Sequence, residues 1–170
     1  MLRRTWKAYE LNYKNSYCFD IEHVYLLMKK RTDTLVKQLF EEAFNQGNLA
    51  KVDDVLAPDH YAHITIGGAP NGPQGLKLMI AIFRTAFPDL LCTVDDEIVE
   101  GDRFAVRWTM RGTHKGPFLG NQPTGGPVEM QGMIFARLEN GRMVEDWTLI
   151  DQMGILQQIG VIPPNLRKER

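Results

Sequence analysis

The feature that most constrains the fold is a change of hydrophobic period at Pro88. Before it, in residues 32–47 and 75–87, apolar side chains recur at the spacing that gives a helix one apolar stripe. After it, in residues 90–114 and 128–151, they alternate with a period of two, which is typical of strands with one buried face. The chain therefore places its helices first and its strands last.

Two short turns divide the second half into hairpins. Gly101-Asp102 has the composition of a hairpin turn, and Asn140-Gly141 is the strongest short signal of this kind. Helices followed by antiparallel strands predict an α+β fold, in which N-terminal helices pack on one face of a curved antiparallel sheet. Such a sheet encloses a cone with an apolar interior, which is a natural pocket for a small molecule.

The length of 170 residues suits one main domain. We place this domain at residues 31–165, between an N-terminal extension, residues 1–30, and a short C-terminal tail, residues 166–170. The extension is rich in aromatic residues and has a mixed periodicity. We expect it to be helical or partly disordered, with a helix from about residue 21 onward.

The charge pattern and the length of the apolar runs argue against nucleic acids and membranes as partners. The chain has 20 basic and 21 acidic residues without a long run of either sign, so the sequence supplies no concentrated basic stretch for nucleic-acid binding, although folding could still assemble a small basic patch. Its apolar runs are much shorter than the roughly 20 residues of a membrane span. We expect a cytoplasmic protein, because no apolar leader segment is present. Cys18 and Cys92 form no CxxC motif and are compatible with a reducing compartment.

Motifs for metals and nucleotides are missing. The sequence contains no HExxH and no GxxxxGK[ST], and its histidines do not form a regular cluster with aspartates. We therefore expect no metal site and no nucleotide-binding loop. The loop of residues 115–127 is rich in glycine and proline and could be a lid or an oligomer contact.

Five segments carry a resemblance to a known family. They are FNQGN (44–48), APDHYAH (57–63), FPDL (87–90), EGDRFAVRWTMRGTHKGPFLGNQPTG (100–125) and NGRMVEDWTLIDQMGILQQIG (140–160). Together they resemble, in order and spacing, the SnoaL-like polyketide cyclases of the nuclear transport factor 2-like (NTF2-like) superfamily. The similarity extends over about residues 32–163. Ser16, the only serine in the sequence, lies outside it, which argues against serine hydrolase chemistry.

The resemblance implies a cone-shaped α+β fold that is usually dimeric or tetrameric. It also implies an intramolecular aldol ring closure on a polyketide ester, with no metal and no organic cofactor. The family's acid/base is an aspartate near the end of the last long strand, which by motif position is Asp151. One carboxylate in an apolar cavity can serve as both base and acid, because desolvation raises its pKa toward the working range.

The residues around Asp151 allow two interpretations. If residues 144–151 form a strand, Trp147, Leu149 and Asp151 share one face, and two apolar side chains beside a carboxylate fit a pocket wall. We therefore expect Asp151 to be catalytic and the other two to contact substrate. Alternatively, Asp151 caps the following helix. Asp146 points to the opposite face, and we expect both it and Glu145 to be solvent or interface groups.

Three histidines receive separate predictions. His63 could line the pocket and donate to an enolate oxygen, or bond to a turn. His114 could contact substrate, or its ring could fix the adjoining loop. His60, beside Pro58-Asp59, is expected on the surface.

Two further residues are candidates for the pocket wall. Trp108 shares a strand face with Val106 and Met110, and this set could line the pocket or belong to the core. Gln131 could supply a polar wall and needs a partner if buried, either a ligand or a neighbouring strand.

Three functional hypotheses follow. The first is a SnoaL-like enzyme acting on a hydrophobic, oxygenated small molecule. The second is a non-catalytic binding or assembly module, which a small or plugged cavity and a fully hydrogen-bonded Asp151 would favour. The third is an isomerase, dehydratase or hydrolase, which a second carboxylate or a His–Asp pair in the cavity would favour. In each case we expect a homodimer formed through the apolar outer face of the sheet.

Overall fold

The computed structural model describes residues 21–63 and 68–163, so the predictions for residues 1–20 and for the tail lie outside the described residues. The helices are α1 (Ile21–Lys37), which continues as a π-helical segment (Gln38–Asn45), α2 (Lys51–Val55), α3 (Pro73–Ala86) and α4 (Gln152–Gln158). The predicted helix from residue 21 is confirmed. Since α1 runs through residue 30, the proposed start of the main domain falls inside a helix.

The strands form one five-stranded sheet. They are β1 (Leu56–Ala62), β2 (Leu91–Glu100), β3 (Arg103–Thr113), β4 (Pro127–Glu139) and β5 (Arg142–Ile150). Their order across the sheet is β1-β5-β4-β3-β2. Strands β2 to β5 are antiparallel, as predicted, but β1 pairs with β5 in parallel, so the sheet is mixed.

Both predicted hairpin turns are confirmed. Asn140 and Gly141 have φ angles of 50° and 78°, the left-handed pair that a tight two-residue turn requires. Gly101, between β2 and β3, has a φ of 59°. These turns fix the register of β2 with β3 and of β4 with β5.

The core lies between the helices and the inner face of the sheet. The sheet contributes alternate residues of β3 and β4, among them Phe104, Val106, Met130 and Ala136. The helices contribute the apolar stripes that the sequence predicts, with Leu39, Phe40, Phe44, Ile80 and Phe83 buried. No helix in the described part of the chain is long and apolar enough to cross a membrane.

Two bulges adjust which side chains reach the inner face. Between Leu56 and Tyr61, five residue steps on β1 face only two on β5, from Met143 to Glu145. On β5 itself the register with β4 shifts at Val144. A bulge inserts residues without a ladder partner and re-aims the side chains around it.

Candidate active site

A cavity opens between the helices and the inner face of the sheet. Its volume, counted as the space open to the centre of a water-sized sphere, is about 80 Å³, which is room for a few water molecules. Most of its wall is apolar and comes from Leu39, Phe40, Phe44, Leu56, Leu76, Met79, Phe83, Trp108, Met110, Ile134, Met143 and Ile150. Three side chains on the β1 and β5 side are polar: His60, Asp146 and Thr148.

Asp146 is the carboxylate of this cavity. The residue as a whole is only 7% exposed. The hydroxyl of Thr148 donates to Oδ2 over 2.7 Å, and Nε2 of His60 lies 2.9 Å from Oδ1. One carboxylate oxygen is therefore held by a hydrogen bond, while the other faces the imidazole.

The His60 ring is buried and poorly satisfied. It is 4% exposed, and neither ring nitrogen has a well-directed hydrogen-bond partner among the described residues. The short distance to Asp146 makes the two groups an ion pair whenever the imidazole is protonated, but the direction of the ring N–H is poor for a hydrogen bond. A buried polar group without a partner is uncommon in proteins and calls for an explanation such as catalysis or an additional ligand.

The bulges explain why these groups meet. Asp146, Thr148 and Ile150 face the cavity with a period of two, and the shift at Val144 brings Met143 onto the same wall. His60 lies within the irregular part of β1, opposite the two-step stretch of β5. The polar corner of the cavity therefore depends on local departures from regular strand geometry.

The outer face of the same two strands carries a second histidine–carboxylate pair. Nε2 of His63 lies 2.8 Å from Oε1 of Glu145, and the imidazole stacks on Trp147 at 4.2 Å between ring centroids. Tyr61 meets the imidazole edge-on at 4.9 Å. The other oxygen of Glu145 accepts from Nε of Arg137 over 3.1 Å. The hydrogen bond with His63 and then that with Arg137 lower the pKa of Glu145.

The prediction that Asp151 lies in the cavity is wrong. Its side chain is exposed, and Oδ1 accepts from the backbone N–H of Gly154 over 2.8 Å as the N-cap of α4. The capping alternative therefore describes the structure. Trp147, Leu149 and Asp151 do lie on one side of the chain, as predicted, but this side belongs to the outer face. The prediction failed because period-two spacing does not show which of the two faces is buried.

Further predicted substrate-binding residues also lie outside the cavity. His63 and Trp147 belong to the outer cluster, and Leu149 and Gln131 are exposed on the outer face. Their predicted place in the pocket wall is wrong for the same reason as that of Asp151. Gln131 needs no ligand to satisfy its side chain, because it faces outward.

The remaining two predicted residues, His114 and Trp108, lie in different places. His114 is fully buried away from the cavity, and its Nδ1 accepts from the backbone N–H of Thr124 over 3.3 Å. Its backbone also pairs with Gly125 and Gly126, so this residue fixes the glycine-rich loop. Trp108 lines the cavity and packs over Gly132; substrate contact by Trp108 stays a prediction.

Sequence reasoning missed His60 and Asp146, which it assigned to the surface. Both are buried and face the cavity. The alternation along β5 could have identified Asp146. If the face that carries Trp147 is taken as the outer one, Asp146 lies on the inner one. Among the described residues, no group of three or more histidine, cysteine, aspartate and glutamate side chains is arranged to hold a metal ion.

The helices packed on a curved sheet, with a pocket between them, define an NTF2-like cone. The model of the SnoaL-like polyketide cyclase family matches residues 34–159, and the chain belongs to that family. Among curated proteins, no sequence matches this chain at a significant level.

Solved structures support the same fold. TsrD from Streptomyces laurentii is 26% identical, with a TM-score of 0.72 over 78% of this chain and 97% of that one. IdmH from Streptomyces antibioticus, a candidate polyketide cyclase, is 35% identical, with a TM-score of 0.66 over 77% and 99%. AclR from Streptomyces galilaeus, a candidate hydroxylase, is 29% identical, with a TM-score of 0.68 over 81% and 85%.

Proposed function

We propose that this protein is a cofactor-independent enzyme that performs acid/base chemistry on a hydrophobic, oxygenated small molecule. The observation that carries the proposal is the Asp146 carboxylate in a mostly apolar cavity, 2.9 Å from the unpartnered ring of His60. Asp146 takes the acid/base role that the sequence assigned to Asp151. The family membership of the chain and the description of IdmH as a candidate cyclase support the reaction class.

The reaction we favour is an aldol-type ring closure. Asp146 takes a proton from a carbon next to a carbonyl group, and the enolate attacks a second carbonyl of the same molecule. A carbon–carbon bond forms, the second C=O becomes an alkoxide, and Asp146 returns the proton to that oxygen. His60 is placed to donate an N–H to the oxygen on which charge develops. This ring closure needs no oxidant or reductant, because each step is a proton transfer or a bond formation within the substrate.

Two observations favour other functions for this cavity. A His–Asp pair in the cavity also suits isomerisation, dehydration or hydrolysis, since each needs one group to remove a proton and another to supply one. The small volume of about 80 Å³ favours a binding module without turnover, because a polyketide needs more space than this. An enzyme would have to widen this cavity when substrate enters.

Deuterium exchange separates an acid/base enzyme from a binding module without knowledge of the natural substrate. The probe is a hydrophobic aromatic β-keto ester in D₂O, and the readout is the loss of its α-proton signal by NMR. An acid/base enzyme accelerates this exchange, and Asp146→Asn reduces the acceleration by about 10²–10⁴-fold.

Asp151→Asn is the matched control, since it changes the same functional group at an exposed position directly after β5, where asparagine can still cap α4. It should retain the exchange activity. If Asp151→Asn abolishes exchange and Asp146→Asn does not, the assignment of the base is overturned. If the wild-type protein accelerates no exchange with any such probe, the binding module becomes the better proposal.

We also propose that two copies pair through the outer face of the sheet. Tyr61, Met133, Phe135 and Leu149 expose apolar area there, and contiguous apolar patches mark interaction surfaces. Light scattering should give a dimer at micromolar concentration, and Phe135→Asp should shift it toward monomer. Leu119→Asp, which changes an exposed apolar residue in the 114–126 loop, should leave the dimer intact. A wild-type monomer would contradict the proposal.

The cytoplasm stays the proposed compartment. Cys92 is a free, buried thiol, which is compatible with a reducing environment.

A further inference from the structure

Two histidine–carboxylate pairs lie back to back across the β1–β5 ladder. His60 and Asp146 meet on the inner face, and His63 and Glu145 meet on the outer face. The four residues belong to two short segments. His60 lies on β1 and His63 directly after its end, three positions further on, while Glu145 and Asp146 are adjacent on β5. Any sliding of β1 along β5 would change both pairs together.

The inner histidine lies where the ladder is weakest. Regular pairing of β1 with β5 occurs at Leu56 and again at Tyr61 and Ala62, while His60 falls in the stretch between them. β1 is also the edge strand of the sheet that the described residues form. Main-chain pairing therefore does not by itself set how far His60 extends toward Asp146.

The outer pair supplies the missing restraint. The His63 ring is held from three directions: Glu145 at 2.8 Å, the face of Trp147 at 4.2 Å and the ring of Tyr61 at 4.9 Å. Glu145 is itself held by Arg137 on β4. Through these contacts, the side chain of the residue directly after β1 is fixed to β5 and, through Glu145, to β4.

We infer that His63 is a positioning residue that holds β1 in the register at which His60 meets Asp146. The inference rests on the proposed function only for its catalytic consequence; the geometric claim stands on the two pairs. Two other contacts also hold this end of β1. The backbone N–H of His63 donates to the carbonyl of Asp146, and that of Ala62 donates to the side chain of Asn71. They hold the main chain after His60, whereas the His63 ring resists rotation and sliding of the strand.

The test observes His60 directly. In ¹⁵N-labelled full-length protein, the imidazole nitrogens of His60 are assigned with a His60→Gln variant, and Asp146→Asn gives their position when the carboxylate is removed. His63→Ala and Glu145→Ala should each move the His60 resonances toward that position. Glu145→Gln should move them less, because its amide oxygen still accepts a hydrogen bond from His63. This rescue by the conservative variant is not expected of a group that merely adds stability.

Arg111→Gln is the control, since it removes the exposed ion pair of Arg111 with Glu129 on the same face, away from β1. It should leave the His60 resonances in place. If the resonances stay unmoved in His63→Ala and Glu145→Ala, the inference is overturned. If His63→Ala does not fold, the comparison of Glu145→Ala with Glu145→Gln decides in the same way. The readout needs no substrate, so it remains decisive even if the exchange experiment finds no enzyme activity.

Discussion

The inner and outer faces of the β1–β5 ladder each carry an imidazole beside a carboxylate, but the two pairs differ in how their polar atoms are bonded. On the outer face, Glu145 accepts from His63 and Arg137, and aromatic rings cover the imidazole, so both carboxylate oxygens and Nε2 of the imidazole have partners within the protein. On the inner face, Asp146 has one hydrogen bond from Thr148, and the His60 ring beside it has none among the described residues.

The difference indicates which pair is available for chemistry. The pKa of Glu145 is lowered by its hydrogen bonds, which favours a fixed carboxylate that is a weak base. A buried group with unused hydrogen-bonding capacity can still bind a ligand or exchange a proton, at a cost in stability. We therefore read the outer pair as structural and the inner pair as functional, and the predictions below test this distinction.

The largest expected effect separates adjacent residues on β5. Asp146→Asn should lower the rate of α-proton exchange by about 10²–10⁴-fold, because it removes the base. Glu145→Gln should lower it much less, because the amide preserves the acceptor for His63. Exchange rates for both variants, measured beside the wild type, check the prediction. Equal losses in the two variants would remove the distinction between the faces.

The second prediction concerns space on the inner face. A Cβ at Gly132 would lie 2.3 Å from Cζ2 of Trp108 and 2.7 Å from the carbonyl oxygen of Leu149. Gly132→Ala should therefore reduce the free energy of unfolding by about 1–3 kcal/mol, measured by urea denaturation. In Gly126→Ala the nearest atom, Oγ1 of Thr124, is 3.5 Å away, so the change should stay within about 0.5 kcal/mol. Similar losses in both variants would show that the packing under Trp108 is not the cause.

The smallest effect concerns the acid stability of the outer pair. Because the pKa of Glu145 in the folded protein is below its unfolded value of about 4.3, its contribution is complete above that value and is lost as the pH falls through the folded pKa. Urea midpoints measured across this range should fall less steeply for Glu145→Gln than for the wild type.

A second carboxylate provides the control for this measurement. Hydrogen bonds from Thr113 lower the pKa of Asp89, so Asp89→Asn should remove a separate part of the acid loss. If the wild type and Glu145→Gln lose stability in parallel, the outer pair is not a stabilising contact.

Much of the fold could be predicted because its signals are local. Helical stripes, the two turns and the end of α3 before Pro88 depend on neighbouring residues, and the structure contains each of them. The parallel place of β1 depends on contacts between distant parts of the chain, and no short pattern encodes it.

The site could be predicted less well for a related reason. Alternation on β5 correctly separates Asp146 from Trp147, but the pattern is symmetric between a buried and an exposed face. An aromatic residue such as Trp147 suggests the inside, and here it instead covers His63 on the outside. The burial of His60 results from the irregular stretch of β1, which leaves no mark in the hydrophobic period.

The parallel pairing of β1 also has a consequence for how the candidate site assembles. Ala62 pairs with Asp146, 84 positions further along the chain, whereas β4 and β5 are joined by two residues. Contacts that close long loops form late and are lost early, because they carry the largest entropic cost. We therefore expect chains that have already assembled their hairpins to lack the His60–Asp146 pair until β1 docks, so that mild heating should separate this pair before the β2–β5 strands unfold.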